Sequence, residues 1–204
     1  MADFLAHLPP ARAATPGPGE VQLWGAIEGA EPAAPGETFS RRMQRAVLAR
    51  YLGVTAAQVR IDRRCARCGG PHGRPSVPGA GIDFSVSHSG GRVVIAVVGS
   101  ERVGVDVQMP AAEISRHFLA KALDPAESAA LEALPAASRL RALTQQWCRT
   151  EAAAKLTGVG VLAGVRAEPG AQRLPVSLVD LDLGGGLVGA LASSRPIDRI
   201  RRGT

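Results

Sequence analysis

Between residues 81 and 108 two alternating stretches flank one unbroken apolar run. In GIDFSVSHS (81–89), Ile82, Phe84 and Val86 point one way and Asp83, Ser85 and Ser87 the other, the period of a half-buried strand. RVVIAVVG (92–99) is apolar almost throughout, as a strand covered on both faces must be. The intervening Gly90-Gly91 predicts a hairpin turn. RVGVDVQ (102–108) alternates again, with Val103, Val105 and Val107 on one face and Gly104, Asp106 and Gln108 on the other. Upstream, VQLWGAI (21–27) and VRI (59–61) predict two further short strands.

Elsewhere the period is helical. TFSRRMQRAVLARYLG (38–53) sets Met43, Val47 and Leu48 on one stripe, with Arg41, Arg42, Arg45 and Arg50 on the remaining faces and Gly53 placed to end the helix. Thr55 and Gln58 fit a capping box. In Asp124-Pro125-Ala126-Glu127 an acidic cap, a proline at the first position and a glutamate at the third predict a helix start. A longer helix is expected over 138–157, closed by Gly158, followed by a hairpin of PVSLVDLDL and LVGALASS around Gly184-Gly185-Gly186. CARCGGPHGRP (65–75) is a turn-rich loop, and the Pro/Ala/Gly-rich stretches 8–20 and 28–36 predict irregular, mobile chain. Helices alternate with antiparallel strands in both halves, so the class is α+β. The expected divisions are a partly mobile segment with one short strand (1–36), an N-terminal α+β half (37–108) and a C-terminal α+β half (109–204).

Composition narrows the partners. Aromatic residues make up only 3% of the 204, so Ala, Val, Leu and Gly must build the core. A net charge of +6 favours a polyanionic partner: nucleic acid, a phosphorylated cofactor, an acidic protein or an anionic surface. Three cysteines do not make a disulfide framework, and the sequence shows no secretory signal and no membrane-spanning run. A cytoplasmic protein without a membrane partner is expected.

Three groups of residues carry candidate chemistry. Asp106 and Gln108 place a carboxylate and an amide on one face of a valine-rich strand. With Glu151 they would suit a hard cation such as Mg²⁺, provided the long helix crosses that strand. Trp147, Glu151 and Lys155 lie near one face of that helix; a Glu–Lys pair four residues apart is ordinarily a surface pair contributing ~0.2–0.5 kcal/mol. Here, however, only two of the 24 basic residues are lysines, so Lys155 is not the default cation. Ser87-His88-Ser89-Gly90-Gly91 offers hydroxyl, imidazole and backbone donors to a phosphate. Cys65, Cys68 and His72 have zinc-like spacing, with Cys148 a candidate fourth ligand, but no second close cysteine pair completes a ribbon.

Taken in order, HGRP, DFSVSHSGG, VGVD and W-x3-E-x3-K resemble the 4′-phosphopantetheinyl transferase family of the surfactin-synthetase type, over about residues 38–190. The resemblance implies two similar α+β halves related by pseudo-twofold symmetry, with coenzyme A between them. It implies transfer of the 4′-phosphopantetheine arm to a serine of an apo acyl or peptidyl carrier protein, with Mg²⁺, releasing adenosine 3′,5′-bisphosphate. By position, Asp106 and Glu151 would be metal carboxylates, with Gln108 beside them, and Glu151 also the base. Lys155 would meet the pyrophosphate, and Ser87 and His88 the 3′-phosphate. Arg74 matches the basic residue of the family's GKP-like turn, and Arg45 is a candidate N-terminal contact. Gln108 stands where many members carry a second strand carboxylate, and Thr150 replaces the lysine that usually precedes the helix glutamate. One chain holding both halves implies a monomer, and no nucleic-acid partner is expected. The other readings are a basic, zinc-stabilised nucleic-acid-binding module and a degenerate transferase that binds coenzyme A without turnover.

Overall fold

The computed structural model describes residues 12–29, 37–110, 125–158 and 177–203. Among these described residues, seven strands and three α-helices follow in the order β1 (Glu20–Ile27), α1 (Phe39–Leu52), β2 (Asp83–Ser89), β3 (Arg92–Val98), β4 (Val103–Gln108), α2 (Pro125–Glu132), α3 (Ala136–Thr157), β5 (Ser177–Asp182), β6 (Val188–Ser193) and β7 (Arg199–Arg202). The first sheet has the order β2-β3-β1-β7, the second β4-β6-β5. All pairs are antiparallel except β1 with β7.

The apolar patterning accounts for four layers. Val94, Ala96 and Val98 on one face of β3 join Val103, Val105 and Val107 of β4 and Leu191 of β6 in a core between the two sheets. The opposite face of β3, Val93, Ile95 and Val97, packs with Phe84 against Met43, Val47, Leu48 and Tyr51 of α1. On the far side, Cys148, Ala152 and Leu156 of α3 lie on Val188, Ala190 and Ala192 of β6. The order is thus helix, sheet, sheet, helix, and the expected α+β class with a helix on each sheet is what forms. With few aromatics, Trp24 and Tyr51 act as one edge-on pair, the indole N–H donating to the phenol at 2.7 Å.

Helix ends follow the local rules. Thr38 caps α1, its hydroxyl accepting from the Arg41 N–H, and Gly53 closes it at φ 65°. The Thr55–Gln58 capping box encloses a short 3₁₀ turn, Ala56–Gln58. α3 ends at Gly158 with φ 76°, as expected, but begins two residues earlier than the sequence suggested. The expected cap at Asp124 lies outside the described residues, as do residues 8–11 and 30–36 of the expected irregular stretches.

Two elements differ from expectation. VRI (59–61) makes no strand: Val59 is buried in the α1 core, and the neighbouring chain forms only the isolated Asp62–Ser76 bridge. RIRR (199–202) had no strand signal, yet it pairs in parallel with β1 at the edge of the first sheet. Its four side chains are exposed, so backbone pairing rather than apolar burial recruits it. The two sheets therefore do not divide the chain at one point, since β4 pairs into the second sheet and the C-terminal β7 returns to the first.

Candidate functional site at the junction of the two sheets

β2 and β4 are neighbouring edges of different sheets and meet through side chains. Every outward N–H of β4 and its extension donates to an oxygen on β2: Val103 to Asp83 Oδ2 (2.9 Å), Val105 to Ser85 Oγ (3.0 Å), Val107 to Ser87 Oγ (3.2 Å) and Met109 to Ser89 Oγ (2.9 Å). The polar half of the DFSVSHS alternation thus satisfies an edge that would otherwise bury unpaired donors. It also wedges the two strands apart.

α3 crosses this gap on the face bearing Gly104, Asp106 and Gln108. A Cβ on Gly104 would lie 1.9 Å from the Ala152 carbonyl oxygen and 2.7 Å from the Leu156 nitrogen, so only glycine admits the helix here. That close approach carries Lys155 into the gap. Its ammonium donates to Asp106 Oδ1 (2.7 Å), the Val105 carbonyl (3.0 Å) and the Val86 carbonyl (3.3 Å). Asp106 Oδ1 also accepts from the Ser87 hydroxyl (2.7 Å), and its other oxygen faces the Gln108 amide nitrogen at 3.3 Å. Only 3% of the Asp106 side chain is exposed, against 30% of Lys155.

Glu151 lies half-buried on the same helix, one turn before Lys155. Burial pushes its carboxyl above the usual 4.5; the Asp106 charge adds to that rise and Lys155 opposes it. Two carboxylates from different elements therefore feel one another's charge. The two carboxylates fit a hard divalent cation, because they offer oxygen ligands and a cation would offset both the burial and the Asp106 charge that raise Glu151. Asp106 and Glu151 would hold it. Gln108 lies beside them and turns its amide N–H to Asp106. Cys148, packed under the group, is pushed far up by burial and by Asp106, which keeps it a neutral thiol.

The remaining residues singled out in the sequence are placed as follows. Lys155, for which the sequence offered an ordinary pair with Glu151 or a pyrophosphate contact, pairs with Asp106. Ser87 is buried and its hydroxyl is engaged by Asp106 and the Val107 N–H, so it orients the carboxylate from behind, where a phosphate contact had been expected. His88, on the opposite face of β2, is exposed beside the Gly90-Gly91 turn. Arg74 is a brace rather than a free phosphate ligand. Its guanidinium grips both oxygens of Asp83 and donates to the Val103 carbonyl (2.7 Å) and the Lys155 carbonyl (2.9 Å), joining loop, β2, β4 and the end of α3. Arg45 pairs with Glu37 at the start of α1, and the Thr150 hydroxyl turns back to the Gln146 carbonyl (3.1 Å). Cys148 is no partner of Cys65 and Cys68: it lies in the α3 core, its thiol 3.7 Å from the Val188 carbonyl. Sequence reasoning missed the roles of Gly104 and Ser85; a glycine inside a valine strand was the available signal.

Among the described residues no helix is long and apolar enough to cross a membrane. No curated protein matches the chain. Residues 102–178, which run from the start of β4 through α3 into β5 and include Asp106, Glu151 and Lys155, match the 4′-phosphopantetheinyl transferase superfamily.

Proposed function

We propose that the protein transfers the 4′-phosphopantetheine arm of coenzyme A to a serine hydroxyl of an apo acyl or peptidyl carrier protein, with Mg²⁺, as an enzyme of the surfactin-synthetase type. The observation that carries the reading is the buried Asp106 paired with Lys155, with half-buried Glu151 one turn before that lysine and raised in part by the Asp106 charge, all inside the segment that matches the superfamily. The assignment to that type is supported by the helix-on-sheet unit of α1 and the first sheet, which lies almost wholly outside the matched segment.

In this reaction the serine oxygen bonds to the phosphorus bearing pantetheine, and the bond from that phosphorus to the bridging oxygen breaks, leaving adenosine 3′,5′-bisphosphate. A magnesium ion held by Asp106 and Glu151 would supply charge for the pyrophosphate oxygens. Glu151, its carboxyl raised by burial, accepts the serine proton, directly or through water. The part-exposed ammonium of Lys155 offsets charge developing on the leaving group and keeps Asp106 oriented together with Ser87. His88 supplies the exposed donor for the 3′-phosphate. The net charge of +6 suits both an anionic cofactor and an acidic carrier.

The deciding experiment incubates the protein with coenzyme A, Mg²⁺ and a panel of apo carrier proteins and reads intact carrier mass. A phosphopantetheine adduct on the carrier serine, lost with EDTA, is expected. No adduct on any carrier, with coenzyme A still bound by calorimetry, would replace this reading with a binding protein of the same fold.

A further inference from the structure

The loop preceding β2 contains a second group of ligating side chains, and the transfer reaction does not use it. The ligand atoms of Cys65, Cys68 and His72 all lie within 4.8 Å of one another, with Cys68 Sγ 2.9 Å from His72 Nε2. Backbone geometry rather than apolar packing brings them together. The Gly69 N–H donates to the Cys65 carbonyl (2.8 Å), and the Cys65 N–H donates to the Gly70 carbonyl (2.8 Å), closing a tight turn in which Gly69 takes φ 73°.

Two further glycines are required by the same arrangement. A Cβ on Gly70 would lie 3.1–3.2 Å from the His72 ring and 3.4 Å from Cys68 Sγ, so its absence lets ring and sulfur converge. A Cβ on Gly73 would lie 2.3 Å from the Arg64 carbonyl oxygen, and the Gly73 N–H donates to the Arg63 carbonyl at 2.7 Å, which pins the chain just after His72. Cys68 and His72 are exposed and Cys65 is half-buried, so no core holds these side chains in place.

We propose that Cys65, Cys68 and His72 bind one zinc ion, with water in the fourth position, as a structural clasp for the loop that delivers Arg74. Two soft thiolates and an imidazole on a tight turn select Zn²⁺ over the oxygen-seeking Mg²⁺. Zn–S bonds of about 2.3 Å and a Zn–N bond of about 2.0 Å need ligand atoms about 3.5–3.8 Å apart, so Cys68 and His72 part by roughly 0.6 Å as the ion enters. Among the described residues no other His, Cys, Asp or Glu joins the group, which leaves the fourth position to solvent. Two residues beyond His72, Arg74 fastens Asp83, the Val103 carbonyl and the Lys155 carbonyl, so an ion on the loop stiffens the brace between the sheets.

Cobalt substitution tests this without reference to any transferase activity. The full-length protein, stripped of metal under reducing conditions, is titrated with Co²⁺ and its absorption recorded. One equivalent is expected to give thiolate-to-cobalt charge-transfer bands and the intense visible bands of a tetrahedral site, and stoichiometric Zn²⁺ should abolish them. Cys65→Ser and Cys68→Ser should lose the spectrum and Cys148→Ser keep it. His72→Ala should bind Co²⁺ more than about 100-fold more weakly, beyond the loss typical of an outer-shell change. The absence of tetrahedral bands in the unaltered protein, a spectrum that survives Cys65→Ser or Cys68→Ser, or purification with a Cys65–Cys68 disulfide and no zinc would overturn the proposal.

Discussion

Gly104→Ala tests the contact on which the site depends. The added methyl would sit 1.9 Å from the Ala152 carbonyl oxygen, whereas ordinary Cβ contacts begin at 3.4 Å. The atoms it meets are helix backbone and cannot rotate away. α3 must therefore retreat by roughly 1.5 Å, against cores packed too densely to absorb such a shift. Overpacking of this kind costs about 1–3 kcal/mol, or a fall in Tm of about 2–12 °C for a chain of this size. The same displacement lifts Glu151 and Lys155 away from Asp106, and a 1 Å error in a reacting group costs on the order of 100-fold in rate. The assay pairs thermal unfolding with the initial rate of holo-carrier formation. Gly25→Ala serves as the control, since its Cβ would meet nothing within 4 Å at an exposed strand position. A Gly104→Ala protein with unaltered Tm and rate would refute the close crossing of α3 over β4.

Glu151→Gln should abolish transfer and also change how stability depends on pH. The folded-state carboxyl of Glu151 is raised, so the stability it contributes is present below 4.5 and lost as pH rises through the folded value. Unfolding measured without Mg²⁺ should then show Glu151→Gln gaining on the parent protein as pH rises above 4.5, and parallel curves would contradict the burial of that charge. Arg74→Ala leaves Asp83 half-paired between the sheets and should cost about 3–5 kcal/mol by denaturant unfolding, with Arg74→Lys recovering little because an ammonium cannot reproduce the fork. Ser87→Ala removes one donor to Asp106 and the acceptor for the Val107 N–H, and should cost about 1–3 kcal/mol; an unchanged midpoint would argue against the side-chain ladder between β2 and β4. With metal removed, a thiol reagent should modify Cys65 and Cys68 rapidly and Cys148 only on unfolding, as mass spectrometry after timed quenching would show.

Legibility followed the physics of each signal. Strands β2, β3 and β4 were plain because burial on one face or both imposes a period of two or an unbroken apolar run, and α1 because a capped start, an apolar stripe and a terminal glycine agree. β7 was hidden because edge pairing in RIRR uses only backbone groups, which no side-chain pattern reports. VRI misled for the opposite reason: two apolar residues suit either a strand or an extended segment with one buried anchor, and Val59 is such an anchor. At the site, sequence spacing places residues on a face but does not choose their partners. Glu151 and Lys155 share a helix face, yet the ammonium goes to Asp106 because Gly104 lets the helix come near enough for Lys155 to reach the open carbonyls of Val86 and Val105.

The polar face of β2 shows why motif residues need not be ligands. An alternation of serines at a strand end reads as a phosphate cradle when the strand is considered alone, since hydroxyls and nearby glycines are what such cradles use. Set against β4, the same serines answer a stricter demand. Val103, Val105, Val107 and Met109 present four backbone donors to this junction, and for Val105 and Val107, whose bonds are buried, each unpaired donor would cost ~1–3 kcal/mol. Asp83, Ser85, Ser87 and Ser89 satisfy all four, and Ser87 keeps a hydroxyl hydrogen to give to Asp106. Because that hydrogen and the Lys155 ammonium converge on one oxygen, the Asp106 side chain is held in one orientation, with its second oxygen turned towards Gln108. The strand motif thus acts on the chemistry through Asp106, and only the outward residue of the set, His88, faces solvent where an anion can arrive.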